Sequence, residues 1–419
     1  MTCKKINEGL VLYYLRCFSQ LAVVVAAAAT GYRFAQGFSL TTVEKYCPMG
    51  GAATSYSLGA DQRFSCATGE YNFSLLLALL VLTLLVRKSF CSWLCPVGTV
   101  SEWIGSLVGR VRGKKGRRTS GTDIALLKPP VAVNSWLGYL RYGVLGVVLY
   151  ATIYTGELMF RPFCPYYVMF SLHGHEVQMW SYAILGFLLL GVIIIPMLWC
   201  RYLCPLGGLL SPFSKVGLLR IRRKPDVCVD CGACDMACGH SIPVAKCETV
   251  TSGECTLCLS CVRSCPVDGA LEVSATGRWS VPASVVPVAV AVLLVAGLYG
   301  GRMYAVPSFA REYAAASSIP ERMQEARFIV RGVRCVDTAI LAATVFEDMD
   351  GIRRFTAYAS RNEVLVEYDA AVIDVKMLVT LLEGPVYMEG VDEFVFGVYE
   401  VLEINGNLVS ELKQKGETQ

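Results

Sequence analysis

Nine of the nineteen cysteines in the chain lie between residues 228 and 265, and eight of them form two runs of identical spacing. They read Cys228-x2-Cys231-x2-Cys234-x3-Cys238 and Cys255-x2-Cys258-x2-Cys261-x3-Cys265-Pro266. That spacing suits iron–sulfur chemistry: a tight C-x2-C-x2-C loop wraps three irons of a cuboidal [4Fe–4S] cluster, and the fourth ligand crosses from the other run. The rule gives Cys228, Cys231, Cys234 and Cys265 to one cluster, and Cys255, Cys258, Cys261 and Cys238 to a second. The competing chemistry is a pair of zinc sites, since C-x2-C pairs also bind zinc. Identical quartets and the terminal Cys-Pro favour clusters. Gly239 stands where a proline usually follows the fourth cysteine, and Cys247, between the runs, reads as a small buried apolar residue.

Four further cysteines share a second grammar. Phe90-Cys91-Ser92-Trp93-Leu94-Cys95-Pro96 and Trp199-Cys200-Arg201-Tyr202-Leu203-Cys204-Pro205 each carry C-x3-C-P, a spacing that sets two thiols on one helical face. Two such faces brought together would offer Cys91, Cys95, Cys200 and Cys204 to a further redox centre, either a cluster or dithiol pairs. The alternative is structural thiols beside a helix-ending proline. Cys47, Cys66 and Cys164 form a further group, with a Cys47/Cys164 pair and a Cys47–Cys66 disulfide both open. His173, His175 and Met179 follow Cys164 and are ligand types that suit copper, although histidines in such a loop also serve as plain surface residues. The third histidine, His240, lies among the clustered cysteines, so no apolar stretch carries axial ligands for a bis-histidine haem. No G-x-G-x-x-G fingerprint opens a helix, which implies a separate electron donor, and no catalytic side chain stands out.

These thiols need elements to hold them. Hydrophobic residues make up 54% of the 419 and charged residues 17%, against about a quarter charged in soluble domains. Apolar runs near Leu10–Thr30, Phe73–Val86, Trp136–Thr155, Tyr182–Trp199 and Val281–Tyr304 approach the roughly 20 helical residues that cross a bilayer, which predicts five spans. The second reaches full length only if Tyr71 and the residues up to Phe90 share the interface. The stretch from Arg87 to Lys128 is strongly basic, whereas Gly156 to Trp180 holds only Arg161, so the basic side is cytoplasmic. Arg220, Arg222, Arg223 and Lys224 place the cysteine-rich segment on that side too. The expectation is a multi-pass protein of the bacterial cytoplasmic (inner) membrane, N-terminus in and everything after Tyr304 out. A net charge of +4, with basic residues beside apolar runs, argues against a nucleic-acid partner.

A cleaved signal peptide is the other reading of the first run, because Lys4 and Lys5 precede it. An internal repeat speaks against it. Tyr14-Leu15-Arg16 opens the first run and Tyr139-Leu140-Arg141 the third; each is followed by an outer Cys-Pro (Cys47-Pro48, Cys164-Pro165), another apolar run and an inner C-x3-C-P. From Arg327 the composition turns soluble and reads as strand Arg327–Val333, helix Cys335–Asp348, hairpin Arg353–Tyr358 with Glu363–Tyr368, helix Val372–Leu382 and a last strand near Val386. The fold class is therefore an α-helical membrane protein of two repeated hairpins plus one span, with a cytoplasmic 2[4Fe–4S] ferredoxin insert and a C-terminal α+β ferredoxin-like (βαββαβ) domain. The expected domains are a four-span core (1–205), the ferredoxin insert (206–279), a fifth span (280–306), a linker (307–326), the extracytoplasmic α+β domain (327–404) and a tail (405–419).

From the first apolar run to Cys265, the chain resembles the membrane-bound polyferredoxin family of NapH, NosR and CcoG type, on Cys91/Cys95-Pro96, Cys200/Cys204-Pro205 and the two quartets. The resemblance implies cluster ligation by the eight quartet cysteines and leaves the C-x3-C-P role open. The C-terminal region resembles a heavy-metal-associated domain, with Gly332-Val333-Arg334-Cys335 at the metal loop, Asp350-Gly351-Ile352 and Glu367-Tyr368-Asp369. That family holds Cu(I) between two cysteines spaced C-x2-C, and here Thr338 takes the second position. A lone Cys335 leaves three readings: partner docking, which is preferred, a site completed from elsewhere, or a thiol that pairs with another protein. The functional expectation is a membrane-bound electron carrier. It passes electrons from a cytoplasmic donor protein through two [4Fe–4S] clusters, and a further iron–sulfur or thiol centre, to a membrane or extracytoplasmic acceptor. The alternative is a copper reductase or maturation factor for an extracytoplasmic metalloenzyme, and a third reading is a scaffold of a respiratory complex.

Overall fold

The structure, a computed structural model, describes residues 2–35, 47–61, 69–111, 136–155, 160–171, 177–303, 307–313, 323–333, 336–347, 349–388 and 393–408. They fall into two compact units. The first comprises the N-terminal helix, residues 47–49 and residues 74–299; the second comprises residues 50–73 and the chain from residue 300.

The helices of the N-terminal half are α1 (Thr2–Ala35), α2 (Gly50–Asp61), α3 (Gly69–Val86), α4 (Ser89–Trp93), α5 (Pro96–Val111), α6 (Leu140–Thr155), α7 (Pro165–Ser171), α8 (Met179–Ile194) and α9 (Pro205–Val216). Among the described residues, one helical stretch, Leu10–Arg33, is long and apolar enough to cross a bilayer. Glu70–Val86, Leu140–Thr155, Met179–Ile194 and Val285–Gly301 are apolar but shorter. At 1.5 Å per residue, sixteen residues reach about 24 Å, short of a bilayer core of about 30 Å. All five apolar runs form helices, and helix length by itself supports only the first as a full span.

Two of the shorter helices, α3 and α8, end at a local break in the backbone. After α3, Arg87 adopts φ +55, a left-handed conformation that stops a helix, whereas α8 stops where Ile195 turns extended ahead of Pro196, and Met197 then adopts φ +57. The helix of the second run ends at Val86, the boundary expected from the sequence. Arg87 is fully buried, not a loop cation, and donates from Nη1 to the Ser252 carbonyl at 2.8 Å. After each break the repeat closes the same ring: Cys95 N donates to Phe90 O at 3.0 Å and Cys204 N to Trp199 O at 2.9 Å. Proline then opens the next helix, at Pro96 and Pro205, where its missing N–H costs nothing. Gly98 is required for this packing, because a Cβ there would stand 2.3 Å from the Cys91 carbonyl oxygen.

The cysteine-rich segment hangs between paired strands. β1 (Leu219–Arg223) runs antiparallel to β2 (Leu271–Ala275), in register from Leu219↔Ala275 to Arg223↔Leu271, and β3 (Trp279–Val281) adds to β2. Between β1 and β2 lie two five-residue helices, α10 (Ala233–Ala237) and α11 (Ser260–Ser264). Helix α12 (Val285–Met303) follows β3.

The second unit is built on a six-stranded sheet. Its elements are β4 (Phe309–Glu312), β5 (Met323–Arg331), α13 (Val336–Thr344), β6 (Ile352–Tyr358), β7 (Glu363–Asp369), α14 (Val375–Leu382), β8 (Val386–Met388), β9 (Glu393–Val395), β10 (Glu400–Ile404) and β11 (Asn407–Leu408). The sheet order is β11-β10-β5-β7-β6-β4. The sequence expectation needs two corrections. The strand near Val386 pairs with β9 in a separate ribbon, and β10 takes the place beside β5. The supposed linker contributes β4, which pairs with β6. The core is fully buried Phe328, Phe346 and Phe355 with Val364, Val366 and Leu378, side chains that each contribute about 2 kcal/mol when removed from water.

Candidate iron–sulfur centres

Three cavities in the first unit are lined by cysteine. Cys228, Cys231, Cys234 and Cys265 share one of about 20 Å³. Cys238, Cys255, Cys258 and Cys261 share another of about 30 Å³. These are the two quartets predicted from spacing, including the exchange of each fourth cysteine. Both loops have the same backbone: Asp230 and Gly232 flank Cys231 with φ +47 and +68, and Leu257 and Leu259 flank Cys258 with φ +45 and +61. Alternating left-handed residues of this kind turn successive N–H groups toward one point, a concavity that binds anions. The Ile242 amide also donates to Cys238 Sγ at 3.4 Å. Among the described residues no three Cys, His, Asp or Glu side chains meet closely enough for a single metal ion. The left-handed loops with amides turned toward the thiols suit an anionic cluster.

The two rooms differ in exposure. Cys231 of the first is exposed, and in the second Cys255 and Cys261 are buried. Arginines approach both. Arg223 reaches the Cys228 thiol and pairs with Asp230 at 2.7 Å, while the buried Arg87 reaches Cys255 and Arg16 donates to the Cys258 carbonyl at 3.4 Å.

The third cavity is the largest, about 60 Å³, and is lined by Cys91, Cys95, Cys200 and Cys204 together with Cys47 and Cys164. A water needs only about 10–15 Å³, so there is room for a larger group. The two C-x3-C-P motifs therefore converge, as the repeat predicts. Cys47 and Cys164, a pair that the sequence left open, line the same cavity as the two motifs. Short α7 carries Cys164 inward at its N-terminal end, where the Cys164 carbonyl accepts from Val168 N at 3.1 Å.

His240 and Thr256 line both the third cavity and the Cys238/Cys255/Cys258/Cys261 cavity. Burial pushes the His240 imidazole down to about 3, Lys88 adds to this and Glu254 opposes it, so the ring is neutral at physiological pH. Its Nδ1 is buried without a hydrogen-bond partner. Glu254 is the anionic hub beside it: Lys88 Nζ lies at 3.1 Å, Arg141 Nη1 at 2.6 Å, and Ser211 Oγ donates at 3.1 Å. Burial works to raise the Glu254 carboxyl, and Lys88 and Arg141 overcome it, holding it at about 2. The repeat arginines have matching duties: Arg141 grips Glu254, and Arg16 pairs with Glu102 while donating from Nε to the Ser92 carbonyl at 3.1 Å.

The remaining candidates divide. Cys247 is half-buried and lines none of the three cavities. Met179 opens α8 and is exposed. Thr338 sits in α13, its carbonyl accepting from the Tyr399 hydroxyl at 2.6 Å. Cys66, His173, His175 and Cys335 lie outside the described residues. Sequence reasoning missed Arg87, Lys88 and Glu254 as site residues, because charges at an apolar boundary read as orientation signals. The one available signal was the adjacency of Glu254 to Cys255.

Residues 71–115 and 177–225 match the family described as "4Fe-4S binding domain". These segments contain both C-x3-C-P motifs and end before Cys228. The chain is 35% identical over 246 residues to the putative electron transport protein YccM of Escherichia coli K12, covering 55% of this chain and 63% of that protein. It is 33% identical over 193 residues to the uncharacterized protein MJ0750 of Methanocaldococcus jannaschii, covering 46% of this chain and 75% of that one. It is 26% identical over 206 residues to the ferredoxin-type protein NapH of E. coli K12, covering 46% and 63%. The match thus spans less than two thirds of the YccM chain. No solved structure matches. With two cysteine quartets each gathered about one cavity and these relatives beside it, the chain belongs to the ferredoxin-type polyferredoxin family and carries [4Fe–4S] clusters.

Proposed function

We propose that the protein passes electrons from a separate cytoplasmic donor protein to an acceptor in or beyond the membrane. They travel through a cluster at Cys228/Cys231/Cys234/Cys265, a cluster at Cys238/Cys255/Cys258/Cys261 and a third redox centre in the cavity where Cys91, Cys95, Cys200 and Cys204 converge. The observation that carries this reading is the sharing of His240 and Thr256 by the second and third cavities, which leaves one side chain between neighbouring redox sites. Solvent exposure at Cys231 makes the first cluster the natural contact for a soluble donor.

Five membrane crossings belong to the same proposal, with the N-terminus and clusters inside and the C-terminal domain outside. Exposed Phe18, Val147, Tyr150, Phe187, Leu190, Val288 and Val292 on four of the five apolar helices give these helices apolar surface suited to lipid. The test is an EPR-monitored redox titration of the purified chain with iron counted per polypeptide. Twelve irons, about four for each of three clusters, and three resolved centres are expected. About eight irons with no third signal would remove the central centre.

A further inference from the structure

We propose that His240 donates a hydrogen bond from Nδ1 to a sulfur of the iron–sulfur group in the central cavity, and so sets the potential of that centre. The inference rests on the reading of the cavity as a third centre and assigns the side chain that tunes it.

The imidazole stands in a wall that both neighbouring sites build. His240 and Thr256 line the central cavity and the Cys238/Cys255/Cys258/Cys261 cavity alike. His240 rides on the turn that follows Cys238, where the Cys238 carbonyl accepts from Ser241 N at 3.0 Å and its sulfur from Ile242 N at 3.4 Å. From the other side, Ser92 Oγ donates to the Thr256 carbonyl at 3.0 Å and Trp93 Nε1 to the Leu257 carbonyl at 3.3 Å. Both donors lie between Cys91 and Cys95, so the first C-x3-C-P motif is pinned to the loop of the second quartet. The place of the ring is thereby fixed relative to both motifs.

Nδ1 is buried and has no hydrogen-bond partner among the described residues. A buried polar nitrogen left unpaired is costly, so its partner must come from what fills a cavity. The sulfurs of a thiolate-bound cluster accept hydrogen bonds and have none to give. An imidazole nitrogen that meets them therefore carries the hydrogen. The second room draws donors from its backbone: the Ile242 amide reaches Cys238 Sγ, and left-handed Leu257 and Leu259 turn loop amides toward the thiols. In the central cavity Gly207 N donates to Cys204 Sγ at 3.3 Å, none of the described lining residues is left-handed, and the basic side chains are Lys88 and His240. The Lys88 ammonium is held by Ser211 Oγ at 3.0 Å and Glu254 at 3.1 Å, which leaves the imidazole as the donor without a partner. A hydrogen bond to sulfur favours the more negative, reduced form of a cluster, so His240 raises the potential of the central centre.

The experiment uses the full chain purified without oxygen and isotopically labelled at the ring nitrogens of its three histidines. Iron is counted, midpoint potentials are read by EPR, and pulsed EPR reads the coupling of labelled nitrogen to each centre. The signal lost in Cys95→Ser/Cys204→Ser identifies the central centre. Labelled nitrogen is expected to couple to that centre in the unsubstituted chain. In His240→Ala the coupling should vanish and the central potential fall, while the signal of the Cys228/Cys231/Cys234/Cys265 cluster stays unchanged and reports that the chain has folded. His240→Asn, which keeps an N–H donor, should recover part of the potential and none of the coupling. A central potential unmoved in His240→Ala, a coupling that survives there, or a wild-type coupling confined to the second quartet would overturn the assignment of His240 alone. The wild-type coupling decides the matter even where a variant fails to fold. About eight irons and no third signal in the wild type would overturn the third centre itself, and the assignment with it.

Discussion

The two quartet loops have nearly the same backbone and opposite surroundings. The first presents Cys231 to solvent, and its arginine, Arg223, pairs with Asp230, whose side chain is 74% exposed. The second packs Cys255 and Cys261 into the core with Leu257 and Val286, and its arginine, Arg87, is buried. Identical spacing therefore builds one room with an exposed cysteine and one whose arginine is buried. Solvent exposure and hydrogen bonds to sulfur set cluster potential, so two quartets of the same ligand type are expected to differ in potential.

The largest effect should come from removing a cysteine on each side. Cys261→Ser deletes a ligand inside the core and is expected to leave little folded protein in the membrane fraction. Cys231→Ser should yield folded chain lacking about four irons; equal yields from the two would undo the contrast. Next in size are the carboxylates. Glu254→Ala strands buried Lys88 and Arg141 and should cost about 3–5 kcal/mol, whereas Asp230→Asn at the exposed pair should cost under about 1 kcal/mol, both read by chemical denaturation.

Arginine substitutions sharpen the electrical side of the comparison. Losing a cation beside an anionic cluster disfavours its reduced form, so Arg223→Gln should lower the potential of the outer cluster only, and Arg87→Gln that of the inner cluster only. Raising salt should move the outer wave alone, because exposed charges are screened and buried ones much less so; waves that shift together in every case would show the two rooms to be electrically alike. The smallest effect is backbone strain. Gly232 has open space around its missing Cβ but φ +68, so Gly232→Ala should cost about 1 kcal/mol with both clusters retained, measured by thermal unfolding.

Much of this was legible before folding. The quartets, their exchanged fourth ligands, the hairpin repeat and the pairing of Arg353–Tyr358 with Glu363–Tyr368 all follow from spacing and periodicity, which are local properties of the chain. The strand beside β5 was misplaced because Val386–Met388 and Glu400–Ile404 have equally good strand patterns, and only packing against β5 separates them.

Sequence alone determined which cysteines could act as a quartet, since a cluster fixes ligand spacing along a loop. It also determined that two C-x3-C-P motifs are copies of one unit. The tertiary structure decided what spacing cannot encode: that Cys47 and Cys164 fold in to meet the inner thiols, that His240 stands between two rooms, and that Glu254 neutralises Lys88 and Arg141 out of water. The physical reason is that these relations join residues up to 166 positions apart, where contact depends on how helices and loops pack and leaves no period in the chain.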